Sequence, residues 1–337
     1  MRNMKIYDKQ GWVNWGYFCS LPRAFIMTVG ARGVGKTYGL LKYLIENGKP
    51  FIYLRRLQAQ LDISGSETGN PFRKLNADLG RDIRPVKNKN MIEFRDGGKE
   101  GELIALGSAL STVATVRGFD FSGYDFIVFD ECVPMAGERP IKNEFDAFLN
   151  FYETLNRNRE LEGKAPVLCL MLGNANQLLN PYFTGWKFTK TALKMLAGKQ
   201  MIYTSPDRTR TMVLLTDSPI SRKKAETSLY KDASSGFLNM AIDNAFRTDA
   251  TRIHSEPLAE YRHIVSVGDI GIYRHKSEKK YYVSSITDSP HYDDYGISLK
   301  QFQTDYLLLR DIYMGQKLMT FESYENEILF REYLKLN

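Results

Sequence analysis

The stretch Gly30-Ala31-Arg32-Gly33-Val34-Gly35-Lys36-Thr37 decides the fold of this chain. It fits the pattern G-x-x-x-x-G-K-[ST] at every fixed position, and this pattern forms a phosphate loop when it lies between a strand and a helix. Residues 25–29 before it are an apolar run, and residues 38–45 after it have amphipathic helical spacing. We therefore predict strand, phosphate loop and helix, against the alternative of a chance glycine-rich turn.

The residue types in this loop suit a nucleoside triphosphate. Glycines let backbone N–H groups turn inward around a phosphate at the helix N-terminus, where unpaired donors and the helix dipole favour an anion. Lys36 is placed to reach the β- and γ-phosphates, and the Thr37 hydroxyl to bind Mg²⁺. No N-K-x-D motif that reads guanine follows, so we predict ATP and Mg²⁺ as cofactors. The candidate cofactor-binding residues are Gly30, Arg32, Gly33, Gly35, Lys36 and Thr37.

An acidic pair follows another apolar strand. Residues 126–129 (FIVF) are apolar on both faces, and Asp130 and Glu131 come directly after them. The carboxyl end of such a strand is the edge at which doubly wound sheets bind ligands. Asp130 is therefore predicted to bind Mg²⁺, and Glu131 to orient and deprotonate the water that attacks the γ-phosphate. Two unrelated surface acids after a strand are the alternative.

Further apolar runs at residues 51–54 and 167–172 alternate with helical segments. This alternation predicts an α/β fold with a mainly parallel sheet that is covered on both faces. Between the second and third strands, Asp96-Gly97-Gly98 predicts a hairpin inserted on the sheet.

Two polar features near this sheet allow two interpretations each. Asn174 follows the strand at residues 167–172, where it is either a turn residue or a contact to the γ-phosphate. Helical spacing predicts a helix over residues 145–162 that ends with Arg157 and Arg159. These arginines either compensate the helix dipole or form a finger that reaches a neighbouring subunit's phosphate.

Composition excludes several classes of protein. The 337 residues are 43% hydrophobic and 25% charged, which is typical of a folded soluble protein rather than a disordered or collagen-like chain. Three cysteines form no even disulfide framework. No apolar run reaches the roughly 20 residues that cross a bilayer, and the start has no signal-peptide pattern. We therefore expect a cytosolic protein.

The net charge of +7 is unevenly distributed. Residues 251–337 contain 11 Lys and Arg against 13 Asp and Glu, so the first 250 residues carry an excess of +9. Residues 190–231 alone hold nine basic and three acidic residues, the density expected of a surface that meets phosphate. A solvated basic face without a ligand is the alternative.

The sequence pattern divides the chain into three parts. We predict a P-loop ATPase domain over residues 1–210, a helical linker over residues 211–245 and a C-terminal domain over residues 246–337. Within the C-terminal domain, the pattern predicts three adjacent antiparallel strands and a closing helix, at residues 264–267, 271–273, 281–286 and 321–336.

Five sequence blocks together resemble a known family. GARGVGKT, FIYLRR, FIVFDE, TLNRNRE and LGNANQLLNPYF occur in the same order and at similar spacing in the DNA-packaging (encapsidation) ATPases of small tailed bacteriophages, whose ring motors work with a packaging RNA. The resemblance implies an ASCE-type P-loop ATPase core of the FtsK/HerA-like superfamily, with an extra strand between the two acidic motifs. It also implies that the C-terminal α+β domain is like a vestigial, degenerate RNase H-like nuclease.

The resemblance also implies roles for individual residues. Lys36, Thr37 and Asp130 keep the nucleotide and magnesium roles given above. The residues matched to catalysis are Glu131 as the base, Asn174 as a sensor, Arg157 as the trans-acting finger and Arg117 as a second basic residue at the subunit interface, where the family has a lysine. The family's DNA-gripping loop follows the acidic pair, and Arg139 and Lys142 are the cations available in it here.

The expected function is therefore an ATPase that drives double-stranded DNA into a preformed viral prohead. By resemblance it acts as a homo-oligomeric ring, a pentamer, in the host cytoplasm, attached transiently to the portal and prohead and in contact with a packaging RNA. A terminase with an active nuclease domain and another FtsK/HerA-type DNA translocase are the alternatives. We expect no nuclease activity, because residues 264–267 contain no acid and Asp269 lies in a Gly-Asp turn.

Overall fold

The computed structural model describes residues 6–31, 33–112, 121–135, 138–175, 178–215, 218–220, 252–287, 296–315 and 318–336. These residues form two compact units. The first contains the described residues up to 175 and from 194 to 220, and the second contains residues 178–193 and those from 252 onward. Among the described residues, none of the helices combines the length and the apolar character needed to cross a membrane.

The first unit is built on one large sheet. Its nine described strands are β1 (Phe25–Gly30), β2 (Phe51–Arg55), β3 (Ile83–Asn88), β4 (Met91–Asp96), β5 (Glu102–Ala109), β6 (Phe126–Asp130), β7 (Leu168–Asn174), β8 (Ile202–Thr204) and β9 (Arg210–Leu215). Their order across the sheet is β3-β4-β5-β2-β6-β7-β1-β9-β8. The strands from β5 to β9 in this order are parallel, and antiparallel strands lie at both edges. The predicted mainly parallel sheet is confirmed.

Helices cover this sheet because its central strands are apolar on both faces. They are α1 (Trp15–Cys19), α2 (Lys36–Glu46), α3 (Gln58–Ser64), α4 (Arg73–Leu79) and α5 (Glu144–Asn156). Helix α2 buries Leu40, Leu41 and Leu44 at the spacing of one helix face. The predicted strand, loop and helix at residues 25–45 are therefore confirmed, as is the hairpin, since β4 and β5 pair antiparallel across residues 97–101.

The order of the central strands corrects one expectation. The extra strand implied by the resemblance is β7, and it lies between β1 and β6, not between two acidic motifs. Gly30 and Asn174 are paired in register at the ends of β1 and β7, and Asp130 ends the neighbouring strand β6. Because parallel strands end at the same edge, these three positions come together there.

The second unit contains a smaller mixed sheet. Its described strands are β10 (Tyr261–Val267), β11 (Ile270–His275), β12 (Tyr281–Ser284), β13 (Gly296–Ile297) and β14 (Met319–Phe321), and its described helices are α6 (Pro181–Gly185), the first part of α7 (Thr189–Ala197), α8 (Leu299–Asp305), α9 (Leu307–Gly315) and α10 (Tyr324–Tyr333). The order is β13-β10-β11-β12-β14, with β10, β11 and β12 antiparallel as predicted. The C-terminal α+β architecture is thus confirmed.

Two boundaries differ from the sequence prediction. Residues 211–215 were expected in a helical linker, but they lie in β9, an apolar run that is buried because it pairs with β1 in the large sheet. Residues 178–193 were expected in the ATPase domain, but they pack with the second unit. Residues 221–245 of the expected linker lie outside the described residues.

Candidate functional site

The phosphate-loop sequence lies between β1 and α2. Gly33 and Gly35 have φ angles of +72° and +84°, which other residues rarely adopt, and Gly35 is the N-cap of α2. Gly30 has a packing role as well, since a Cβ at this position would lie 2.7 Å from Cβ of Leu215 on β9. Arg32, the remaining predicted loop ligand, lies outside the described residues.

Lys36 is buried at the start of α2, with its side chain turned toward the loop. Its Nζ donates hydrogen bonds to the carbonyl oxygens of Gly30 (2.9 Å) and Ala31 (2.6 Å). It also donates to Oδ1 of Asn174 at 3.1 Å, across the ends of β1 and β7. The structure thus brings together the lysine and the asparagine that the sequence places 138 residues apart.

Thr37 and Asp130 are in direct contact. The Thr37 hydroxyl donates a hydrogen bond of 2.7 Å to Oδ1 of Asp130, and Asp130 is 5% exposed. A threonine hydroxyl and a carboxylate oxygen are hard ligands of the kind Mg²⁺ prefers. These side chains, with Lys36, Glu131 and Asn174, line a cavity of about 340 Å³ at the edge of the sheet.

Arg55 joins this group although the sequence analysis gave it no role. It ends β2, and its guanidinium contacts both acids, with Nη1 3.0 Å from Oδ2 of Asp130 and Nη2 2.6 Å from Oε2 of Glu131. The hydroxyl of Tyr53, two residues earlier on β2, donates to the same Oδ2 of Asp130 at 2.9 Å. Burial and the nearby Asp130 carboxylate raise the pKa of Tyr53 well above its usual range, so this phenol remains a donor.

The sequence contained a signal for this contact. Residues two apart on a strand point to the same face, so Tyr53 and Arg55 share the face of β2 that borders Asp130 on β6. A charged residue ending an otherwise apolar strand, next to a strand that ends in two acids, is the pattern that indicates such a pair.

Glu131 has an unusual backbone conformation. Its φ angle is +51°, in the left-handed region, and its side chain is 51% exposed at the mouth of the cavity. A non-glycine residue held there costs about 1–2 kcal/mol, and such residues are common at functional sites. In this backbone conformation the Glu131 carboxylate contacts Arg55.

The loop after the acidic pair is anchored by a second arginine that the sequence analysis missed. Arg56 is 1% exposed, and its Nε and Nη2 each lie 2.7 Å from a carboxylate oxygen of Glu144. Its Nη1 lies 2.5 Å from Oε2 of Glu138. Arg139 and Lys142, the predicted DNA-contacting cations, lie between these two anchored glutamates, and both are exposed.

The predicted arginine finger lies outside the cavity of its own chain. The helix expected over residues 145–162 ends at Asn156, because Arg157 at its C-cap has a φ angle of +44°. Arg157 is exposed, and its Nε donates to the carbonyl oxygen of Thr154 at 3.2 Å. Arg159 instead pairs with Asp125 just before β6. The candidate Arg117 lies outside the described residues.

Two solved structures resemble the whole chain. The Phi-28 gp11 DNA packaging motor matches with a TM-score of 0.56 and 19% identity, covering 98% of this chain and 99% of that one. The phage Phi-29 genome packaging motor assembly matches with a TM-score of 0.57 and 20% identity, covering 96% and 99%. At these identities the likeness establishes a shared fold.

Sequence relatives give the family. The DNA packaging protein of Bacillus phage B103 is 27% identical over 237 residues, which are 68% of this chain and 67% of that protein. The DNA packaging protein of Bacillus phage phi29 is 31% identical over 181 residues, only about half the length of each chain (52% and 50%). The profile described as podovirus DNA encapsidation protein (Gp16) matches residues 7–332, nearly the whole chain. This chain therefore belongs to the podovirus DNA encapsidation protein family.

Proposed function

We propose that this chain is the ATP-hydrolysing subunit of a ring motor that drives double-stranded DNA into a preformed phage prohead. The observation that carries the proposal is the 2.7 Å hydrogen bond between Thr37 of the phosphate loop and Asp130 of the acidic pair. This contact joins the two halves of a nucleotide site, and the family membership of the chain supports DNA packaging as the work that the site drives.

The residues present fit ATP with Mg²⁺. Thr37 and Asp130 would hold the ion, which supplies charge neutralisation at the β- and γ-phosphates. Lys36 would exchange its hydrogen bonds to the loop carbonyls for bonds to phosphate oxygens. Asn174, which accepts a hydrogen bond from Lys36, would contact the γ-phosphate or the attacking water. Glu131, exposed at the mouth, orients that water and accepts its proton. Arg55 holds the two carboxylates in place and offsets their mutual repulsion.

Hydrolysis in a ring would use residues of two subunits. Arg157 is exposed at the end of α5, so it is placed to act on a neighbouring subunit rather than on its own cavity. A guanidinium on the γ-phosphate stabilises the charge that develops in the transition state. Arg117 is proposed as a second basic residue at the same interface.

DNA would be held through its phosphates without reading sequence. The excess of positive charge in the first 250 residues favours such binding. Arg139 and Lys142 are the proposed contacts, because Arg56 anchors the loop at Glu138 and Glu144 and the two cations lie between these anchors. The C-terminal unit is proposed to dock on the portal, prohead or packaging RNA, and not to cut DNA. The motor would work in the host cytoplasm, attached to the prohead only during packaging.

The test is a packaging assay with purified proheads, ATP and genomic DNA, scored as DNA protected from nuclease. We expect wild-type protein to protect DNA and Lys36→Ala to protect none, because binding of the triphosphate fails. Lys49→Ala removes an exposed lysine just after α2 and is the matched control that should package normally. Full packaging by Lys36→Ala would overturn the proposal.

The proposed DNA contacts of Arg139 and Lys142 are tested separately, by measuring DNA affinity as a function of salt concentration. Arg139→Ala with Lys142→Ala should weaken DNA binding on every sequence alike. The double variant should also reduce the slope of log affinity against log salt by about 1 for each phosphate that the loop no longer neutralises. An unchanged slope would place the DNA-binding residues elsewhere.

A further inference from the structure

A second cavity, of about 580 Å³, adjoins the one that holds the acidic pair. Gly33, Gly35 and Tyr38 line both cavities, so the phosphate loop is their common border. Asp130 and Glu131 do not line the second cavity, whose other walls come from residues 8–16, from α2 and from Lys74 of α4. Its volume is in the range of sites that take drug-sized ligands.

Trp12 is the unusual residue in its wall. Large apolar side chains are normally buried, but the Trp12 side chain is 42% exposed. The indole packs on the phosphate loop, since a Cβ added at Gly35 would lie 2.8 Å from Cε3 of Trp12. The ring thus contacts the loop along one edge while much of its surface is open.

The turn that carries Trp12 is tightly held. Oδ1 of Asp8 accepts hydrogen bonds of 2.9 Å from the backbone N–H groups of Gln10 and Trp12. The backbone N–H of Asp8 donates to the carbonyl oxygen of Trp12 at 2.8 Å, and Tyr7 and Val13 form an antiparallel bridge behind the turn. Such a turn fixes the backbone that carries the indole, which lowers the entropy cost of binding a flat ligand.

The second aromatic ring of the cavity is fixed as well. The hydroxyl of Tyr38, at the start of α2, donates to Oδ2 of Asp78 at 2.5 Å. The ammonium of Lys74 lies 5.0 Å from the centre of the Tyr38 ring, within cation–π range. Two aromatic side chains therefore border the phosphate loop in this cavity, Trp12 in its wall and Tyr38 at the border of the two cavities.

We infer that this cavity takes the nucleoside of the bound nucleotide, with the base stacked on the exposed indole of Trp12. The inference rests on the proposed function, because a triphosphate in the loop would leave its nucleoside at the common border of the two cavities. An exposed, rigid indole beside a phosphate site has the chemistry to bind a base, since every base has a π-face. Trp12 is therefore the residue that makes the site bind a nucleotide more tightly than a bare polyphosphate.

Binding measurements with two ligands test this assignment. Calorimetry compares ATP with inorganic tripolyphosphate, both with Mg²⁺, on wild type, Trp12→Phe and Trp12→Ala. Stacking on an aromatic side chain predicts a loss of about 5- to 150-fold in ATP affinity for Trp12→Ala. Trp12→Phe should retain most of the affinity, and tripolyphosphate should bind all three proteins equally.

Fluorescence supplies a readout that is independent of hydrolysis. The chain has three tryptophans, of which Trp15 and Trp186 are buried, although Trp15 also lines this cavity. ATP should quench wild-type emission and tripolyphosphate should not, and most of the ATP-dependent change should disappear in Trp12→Phe, because only Trp12 exposes its ring to the base.

Three outcomes would overturn the inference. The first is unchanged ATP affinity in Trp12→Ala. The second is an equal loss of affinity for ATP and tripolyphosphate, which would mean that Trp12 only shapes the loop. The third is ATP quenching in Trp12→Phe that is as large as in wild type. The variant Lys36→Ala distinguishes an error in the Trp12 assignment from an error in the proposed function, because it should weaken the binding of both ATP and tripolyphosphate. If both ligands bind Lys36→Ala as they bind wild type, the phosphate-loop assignment itself is wrong.

Discussion

Buried and half-buried polar groups are used differently in the two units. In the first, Lys36, Asp130 and Asn174 come from three separate segments and meet at one sheet edge. In the second, they serve local structure: the Ser284 hydroxyl bonds the Glu322 carboxylate that holds the following turn, and Glu327 accepts from the Tyr313 hydroxyl. Convergence of polar groups on one cavity, rather than their number, marks the functional unit.

The difference follows from strand direction. Six parallel strands in the first unit end at one edge, so the residues that follow them gather there. In the second unit the three central strands alternate in direction, so their ends are divided between two edges. A site of several converging groups is therefore built far more readily on the first sheet.

The largest expected effect tests whether the first unit's site is completed by another subunit. Arg157→Ala should lose about 10³- to 10⁵-fold in DNA-stimulated ATP hydrolysis, because the transition-state charge is no longer stabilised, and should still bind ATP. The decisive measurement mixes it with Lys36→Ala. A ring containing both should recover some activity at interfaces that pair an intact finger with an intact loop.

The result that contradicts the finger assignment is the absence of recovery at every mixing ratio when rings are shown to form. Arg157 would then act within its own subunit or only in folding.

A second prediction concerns the anchored loop of the first unit. Arg56→Met should lower the free energy of unfolding by about 3–5 kcal/mol, since it removes the guanidinium that pairs with the buried Glu144 carboxylate. The matched control is Arg81→Met, which breaks an ion pair with Asp96 whose arginine side chain is 42% exposed, and should cost about 0–1 kcal/mol. Urea unfolding, with hydrogen exchange in β2 and α5, measures both. Equal losses in the two variants would mean that Arg56 does not anchor the loop.

The smallest expected effects are changes in stability when one carboxylate in each unit is replaced, and the two changes should have opposite signs. Hydrogen bonds from Asn88 and Arg95 lower the pKa of Glu93, whereas burial raises the pKa of Glu332, which accepts from Thr189. Glu93→Gln should therefore cost about 1 kcal/mol at pH 7, and Glu332→Gln should be slightly stabilising there. Both differences should fade at low pH. The Glu332 difference should be lost by about pH 4.5, and the Glu93 difference only as the pH falls further, through the lowered pKa of the folded state.

Thermal unfolding of the two variants from about pH 2.5 to pH 8 checks these signs. For Glu93 the stabilisation is present above pH 4.5 and is lost as the pH falls through the lower folded pKa. For Glu332 the cost is present above its raised folded pKa and is lost as the pH falls to 4.5. If Glu93→Gln and Glu332→Gln changed the stability at pH 7 in the same direction, the opposite roles given to these two carboxylates would be wrong.

Those parts of the fold whose signal is local could be predicted from the sequence. The phosphate loop, the acidic pair and the strands around them have patterns within about ten residues. Arg55 and Arg56 were missed because their partners lie 75 to 88 residues away. The charged end of β2 indicates an ion pair only once the strand order has placed β2 beside β6. Strands as short as β13 and β14, of two and three residues, carry too little periodicity to be recognised.

Two boundaries predicted from the sequence, that of the linker and that of the helix ending at Asn156, were wrong for a related reason. β9 follows a basic segment and precedes a polar one, so the sequence pattern assigns its apolar run to a linker, although it completes the large sheet beside β1. The helix that ends at Asn156 is shorter than its sequence pattern predicts, because nothing in the sequence indicates the positive φ angle of Arg157.

The central claim is that the polar edge of the first unit's sheet hydrolyses ATP with Glu131 as the base. Glu131→Gln tests it most directly, because the amide keeps the shape of the side chain but cannot accept the proton of water. In a single-turnover assay with DNA present, this variant should bind ATP nearly as wild type does and should hydrolyse it about 10²- to 10⁴-fold more slowly. Hydrolysis at the wild-type rate would contradict the assignment.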